Sequence, residues 1–326
     1  ILNQKPTRMK KSHIITKRVL GLSLPFALLL GFSSCKDIVE VPMPETNTVV
    51  DVLLEDSNFS TLTTAVTTAG LADALSGDGP FTVFAPNNIA FNDFLAANNL
   101  TASGLLASPA LATILTYHVV PANVTSGQVA AGPVTSLEGS KFYVSIDPNG
   151  GVWINGNTRV TAVDKMASNG VIHTLNYVIT EPTQNIAEIA VGLSTSSTPQ
   201  FTQLVAALVR ADLVGAVSGG DSDNLTVFAP TDAAFEALYD ALGVSGINDI
   251  PLETLTNVLL YHVVPARAFS QDLRNGANLP TLLTGKTLSV DLPNLEINDS
   301  GLVPSMLNIH ATNGVIHVID QVLLPE

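Results

Sequence analysis

The segment Asn169-Gly-Val-Ile-His-Thr-Leu-Asn-Tyr-Val-Ile179 returns as Asn313-Gly-Val-Ile-His-Val-Ile-Asp-Gln-Val-Leu323, 144 residues later. Two more blocks recur at the same offset. Thr82-Val-Phe-Ala-Pro86 matches Thr226-Val-Phe-Ala-Pro230, and Tyr117-His-Val-Val-Pro-Ala122 matches Tyr261-His-Val-Val-Pro-Ala266. Three blocks in one order at one offset mark an internal duplication. The repeat is domain-sized, much longer than a solenoid unit, and each copy is long enough to bury its own core. The 326 residues therefore read as two domains behind a short leader.

The leader occupies residues 1–35. Residues 9–18 are basic, residues 19–32 are apolar, and Ser33 and Ser34 precede Cys35. This is the layout of a secretory signal, with an apolar run too short to span a membrane comfortably. The Ser-Ser-Cys end resembles a bacterial lipobox, which implies cleavage before Cys35 and its lipidation. The plainer alternative is an ordinary signal peptide with an incidental cysteine. Residues 1–8 precede Met9 and read as an over-extended start. Residues 36–45, with two prolines and no period, read as a tether. Lys36 and Asp37 resemble the charged export signal of some lipoproteins of the Bacteroidetes.

Cys35 is the one cysteine of the sequence, so an intrachain disulfide is excluded. All 28 acidic residues but only eight of the 14 basic ones follow it, a net charge of −20. That balance disfavours nucleic acid and anionic headgroups as partners, and membrane attachment would come from lipid.

Within each copy, helical patterns come first and strand patterns later, an α+β arrangement. Val49, Val50, Val52, Leu53 and Leu54 predict a short helix. Phe59, Leu62, Val66 and Ala69 predict another, stopped at Gly70. Phe201, Leu204, Val205, Leu208 and Val209 form the matching stripe. Residues 81–84 read as a buried strand ended by Pro86, with Asn87 and Thr231 capping the helices that follow. Ser108-Pro109 predicts a helix start. Alternation then predicts strands through Phe142, Val144 and Ile146, through Val152 and Ile154, and through Val160 and Val163. Turns fall at residues 147–151 and 155–157. The short join at residues 181–185 predicts limited interdomain motion, and residues 194–199 form a surface loop absent from the first copy.

The three paired boxes resemble the fasciclin-type domain family over residues 46–326, as a first domain at 46–182 and a second at 183–326. The resemblance implies a compact α+β fold, with helices packed on a wedge or sandwich of β-sheet. It also implies a secreted or anchored protein acting in adhesion and in matrix or polysaccharide association. Animal members carry an Asp-Ile pair linked to integrin binding just before the closing Asn-Gly. The corresponding positions here are Asp164-Lys165 and Asn308-Ile309, so one copy has the Asp without the Ile and the other the Ile without the Asp. The family's Tyr-His motif, also implicated in adhesion, maps onto Tyr117, His118, Tyr261 and His262.

Two chemistries compete for the matched histidines His118, His173, His262 and His317. A metal or acid–base site is one. Satisfied core imidazoles are the other, favoured because each lies in an apolar segment with no carboxylate or cysteine nearby to complete a ligand set. His310 is unmatched and is expected to be exposed. Residues 221–224 offer oxygens to calcium but lack the closing glutamate, and read as a solvated turn. Trp153 is expected either to stack on a sugar or to pack on the sheet. The expectation is a lipid-anchored adhesion or matrix/glycan-association protein of the outer membrane, periplasmic or surface-exposed, with no cofactor and no bound metal. Its ligand would be an extracellular or envelope protein or polysaccharide. The alternatives are a glycan-directed enzyme and a passive spacer. Candidate site residues are Cys35 for lipidation and Tyr117, His118, Asp164, Tyr261, His262, Asn308 and Ile309 for binding.

Overall fold

The computed structural model describes residues 47–325 apart from Asp221. The leader, Cys35 and the tether through residue 45 lie outside the described residues.

The first repeat runs α1 (Val49–Leu54), α2 (Ser60–Thr68), α3 (Ala72–Leu75), β1 (Phe81–Pro86), α4 (Asn88–Ala97), α5 (Ala102–Leu106), α6 (Leu111–Tyr117), β2 (Val119–Val120), β3 (Gly132–Thr135), β4 (Lys141–Ile146), β5 (Val152–Ile154), β6 (Thr158–Ala167) and β7 (Gly170–Leu175). The second runs α7 (Ile186–Ser194), α8 (Thr202–Arg210), β8 (Leu225–Pro230), α9 (Asp232–Leu242), α10 (Leu252–Tyr261), β9 (Val263–Val264), β10 (Asn278–Pro280), β11 (Thr287–Asp291), β12 (Glu296–Ile297), β13 (Ser300–Gly301), β14 (Ile309–Ala311) and β15 (Gly314–Ile319). This is the α+β fold that the order of periodicities predicts.

The first sheet has the order β2-β1-β7-β6-β5-β4-β3. Its pairings are antiparallel except β1 with β7, where Phe81 lies opposite Gly170 and Phe84 opposite His173. In the second repeat β8 pairs in parallel with β15 in the same way. The strand equivalent to β6 is broken there by a turn of 3₁₀ helix at Pro304–Met306. Proline supplies no ladder donor, and the sheet divides into β14-β15-β8-β9 and β10-β11-β12-β13.

Strand alternation makes β1 serve two cores. Val83 and Ala85 face the helices and pack with Phe59, Leu62, Phe91 and Leu115. Phe84 faces the antiparallel strands and packs with Tyr117, Phe142 and Ile154. In β8, Val227 and Ala229 against Phe228 divide likewise. The α8 stripe is narrower than its pattern: Leu204 and Leu208 are buried, but Val209 is 64% exposed. Eight residues past Phe201, Val209 lies about 80° around the helix from it, and Ala207 takes the core position. The helix predicted from Ser108 begins at Leu111, with the Ser108 hydroxyl accepting from the Ala110 N–H. Val160 and Val163 do not alternate, because register shifts on either side of Ala162 bulge β6.

The parallel pair is closed by Asn-Gly. A Cβ on Gly170 would stand 2.1 Å from the Phe81 carbonyl oxygen, and one on Gly314 would stand 2.2 Å from that of Leu225. Glycine is what lets the strands meet there. Asn169 accepts from the Val49 N–H at 2.8 Å and donates to the carbonyls of Leu75 at 2.9 Å and Gly77 at 2.7 Å. Asn313 does the same for Ile186 and Val217. One amide thus fixes the first helix and the loop before the first strand. Asn169→Ala leaves those groups without partners. At about 1–3 kcal/mol for each buried orphan, the variant is expected to lose about 3 kcal/mol, read as a lower urea midpoint for the first domain's transition.

Candidate functional site

The four matched histidines cross-link backbone to backbone. His118 Nδ1 donates to the Ile114 carbonyl at 2.7 Å, and its Nε2 accepts from the Ile179 N–H at 3.1 Å. His262 repeats this with Val258 and Leu323. His173 uses the opposite tautomer. Its Nε2 donates to the Val124 carbonyl at 2.9 Å, and its Nδ1 accepts from the Asp164 N–H at 3.3 Å. His317 does so with Ala268 and Asn308. Both nitrogens of each ring are committed, which leaves none for a substrate or metal. Among the described residues no group of three or more His, Cys, Asp and Glu could hold a metal ion.

The Tyr-His pairs belong to this same interior. Tyr117, His118, Tyr261 and His262 are all buried. Each tyrosine hydroxyl donates to a strand carbonyl, Lys141 or Thr287, at 2.9 Å. Burial raises the Tyr117 hydroxyl well above its ordinary value. These four side chains are interior and present no contact surface: the tyrosines join α6 and α10 to the antiparallel strands, and the histidines tie the same helices to the chain after the last strand, as satisfied core imidazoles.

Asp164, in the bulged part of β6, and Asn308, just before β14, occupy matching corners of the two repeats, at φ 59° and 55°. Asp and Asn are the residues that tolerate this left-handed conformation. Asp164 accepts from the Ser126 N–H at 2.8 Å and from its hydroxyl, contacts that hold its carboxyl below the usual range. Asn308 accepts from the Ser270 N–H at 2.7 Å. The corners share a backbone and differ in what covers them.

The second corner is covered by the first domain. The Asn308 amide donates to the Gly156 carbonyl at 2.9 Å, and Asn157 donates to the Asn308 carbonyl at 3.0 Å. Ser145 donates to Asp272 at 2.9 Å, and Arg274 to the Ile146 carbonyl at 2.9 Å. The Arg267 guanidinium lies 4.1 Å from the centre of the Tyr143 ring, a close cation–π contact. It also donates to the carbonyls of Ala311, Thr312 and Gly314. Gly156 makes the approach possible: at φ +71°, a Cβ there would stand 2.5 Å from Phe269 and 2.7 Å from Asn308. His310, expected to be exposed, is packed edge-on against Tyr143 and Phe269. Burial, with Arg267 nearby, pushes its pKa down to about 3. Asn308 is buried beneath the first domain, and Ile309 is half-buried against the second core.

The first corner is open. Val163 is 49% and Met166 57% exposed. Lys165 turns aside to pair with Asp56 at 2.8 Å, over the Phe59 ring. Elsewhere, Trp153 is half-buried, donating to Asp147 at 2.8 Å beneath Arg159. Of the calcium-like turn, Asp221 lies outside the described residues, and Asn224 accepts from Tyr143 and Arg267.

Sequence reading alone misses Tyr143, Gly156, Arg267 and Phe269. Their signal is asymmetry between the repeats. Arg267 and Phe269 stand at the places of Asn123 and Thr125, and Tyr143 at that of Ser289.

The Fasciclin domain model matches residues 57–181 and 199–325. Protein sll1483 of Synechocystis is 45% identical over 135 residues, 41% of this chain and 74% of that protein. Transforming growth factor-beta-induced protein ig-h3 of Sus scrofa is 33% identical over 263 residues, 79% of this chain and 37% of that protein. The chain thus spans little more than a third of ig-h3. A solved FAS1 domain pair from the insect cell adhesion molecule Fasciclin I aligns over 84% of this chain and 95% of that one, at 16% identity and TM-score 0.37.

Burial pushes the pKa values of His118, His262 and His317 down to about 4. In the unfolded chain they return to about 6.5. Between these values the unfolded state holds more protons, so this stability is complete above pH 6.5 and is lost on acidification towards about pH 4. Each ring contributes a slope of about 1 kcal/mol per pH unit. Calorimetry across this range is expected to show a steep fall in Tm, flattened by His262→Gln.

Proposed function

Because the chain belongs to the fasciclin domain family, with two domains in tandem, we propose that it is an adhesion-type protein of the cell envelope. In this reading it binds an extracellular protein or polysaccharide through the open corner of its first domain, at Val163, Asp164 and Met166. The observation that carries the reading is the contrast between the two corners. Asn308 is 4% exposed beneath the first domain, whereas Val163 and Met166 stand 49% and 57% exposed around the matching Asp164. Exposed apolar side chains beside a fixed carboxylate suit a contact surface. The chemistry is binding rather than turnover, since the imidazoles are spent on internal hydrogen bonds.

The anchor in this proposal is lipid on Cys35. Among the described residues no helix is long and apolar enough to cross a membrane. A lipid-anchored chain of net charge −20 would be held clear of anionic headgroups by repulsion.

On an array of matrix proteins and glycans, Val163→Ser/Met166→Ser is expected to weaken capture about tenfold, the change that a loss of about 1.4 kcal/mol gives. Unchanged capture by a folded variant would favour a spacer role. For the anchor, the intact mass of membrane-extracted protein is expected to begin at a diacylated Cys35; a soluble chain cleaved elsewhere would overturn it.

A further inference from the structure

The face of the first domain that seats the second has a counterpart on the second domain. Asn155 and Asn298 fix the correspondence. Both lie at positive φ, both accept from a strand N–H (Tyr143 or Ser289), and both donate to the buried tyrosine hydroxyl. Phe142 and Ile154 in one domain match Leu288 and Ile297 in the other, all fully buried. The ladders then place Ser289 where Tyr143 stands and Asp291 where Ser145 stands. Asp299 follows Asn298 as Gly156 follows Asn155.

In the first domain this face is occupied. What remains beside the junction is a cleft of about 240 Å³, lined by Ser140, Lys141, Tyr143, Glu181, His310 and Thr312. In the second domain, Lys286, Thr287, Ser289, Asn298, Asp299 and Gln321 line an open groove of about 800 Å³. Among the described residues nothing covers it.

We propose that this groove is a second docking seat, and that it takes a fasciclin-type corner bearing arginine and amide donors. The internal junction supplies the template. There the seat accepts: the Gly156 carbonyl takes donors from Asn308 and Gln271, and the Ile146 carbonyl takes one from Arg274. The second seat adds the carboxylate of Asp299 at the place of Gly156, which strengthens the preference for cationic donors; Asp291, at the place of Ser145, accepts from Asn294 of its own turn. Lys286 stands at Ser140's place, five residues along the chain from Asp291.

The chain's own open corner does not qualify. Docked in the same geometry, a second copy would set Asp164 against Asp299, with Asn123 and Thr125 in place of Arg267 and Phe269. It would lose donors and ring contacts and gain a like-charge pair, and such juxtapositions exclude wrong partners. The seat thus selects a different fasciclin-type surface over a second copy, and head-to-tail growth of this chain is blocked. This inference is independent of what the first domain's corner binds.

The test gives the first corner the chemistry of the second and follows sedimentation over a concentration series. Wild type is expected to stay monomeric. Asn123→Arg/Thr125→Phe/Asp164→Asn/Met166→His is expected to sediment faster as concentration rises, and adding Asp299→Lys is expected to restore the wild-type value. Should the four-substitution variant melt below wild type, Asn123→Arg/Asp164→Asn takes its place with the same expectation. A folded variant that stays monomeric overturns the proposal. So does association that survives Asp299→Lys. Wild-type association abolished by Asp299→Lys overturns the exclusion of a second copy.

Discussion

Each domain hangs on one parallel strand pair, β1 with β7 and β8 with β15. Strands far apart in sequence meet there, and the cost of closing so long a loop precedes any reward from packing. The Asn-Gly step makes the closure worthwhile. Glycine lets the backbones meet at a distance a Cβ would forbid. The asparagine amide replaces solvent for three buried backbone groups in the first domain. Helices pack on one side of the pair and antiparallel strands on the other, so two cores share one wall.

The remaining boxes lock onto that wall. The Thr82 hydroxyl donates to the Ala122 carbonyl at 2.6 Å and accepts from the Val124 N–H at 2.9 Å, and Thr226 repeats this with Ala266 and Ala268. The histidines add longer bridges. A neutral imidazole carries one donor and one acceptor, which suits a gap between a carbonyl and an N–H. Protonation would turn the acceptor into a second donor facing an N–H. Buried polar side chains here satisfy irregular backbone where no ladder reaches.

Duplication produced two such units, and divergence gave their matching corners different surroundings. The corner at Asp164 and Asn308 keeps its backbone conformation in both copies. In the second it is spent on the junction, with Arg267 clamped by three carbonyls of its own domain and laid on Tyr143. In the first it faces solvent. The join at residues 181–185 is short, and side chains distant from it, Asn308 on Gly156 among them, add contacts across the junction.

The sequence by itself determined the duplication, the α+β class and most elements, because hydrophobic period, caps and turn residues are local properties repeated in both copies. It marked Asp164 and Asn308 as corresponding positions. It favoured core imidazoles at His118 and His262, but only the tertiary structure decided that Tyr117 and Tyr261 are interior with them, that His310 is sheltered, and that Asn308 is covered while its twin is open. The tyrosines are placed by packing within each domain, and the other outcomes by which surfaces meet across the junction. Accessibility is set by neighbours far away in the chain, and residues with the same local signature acquire opposite roles when one copy packs on the other.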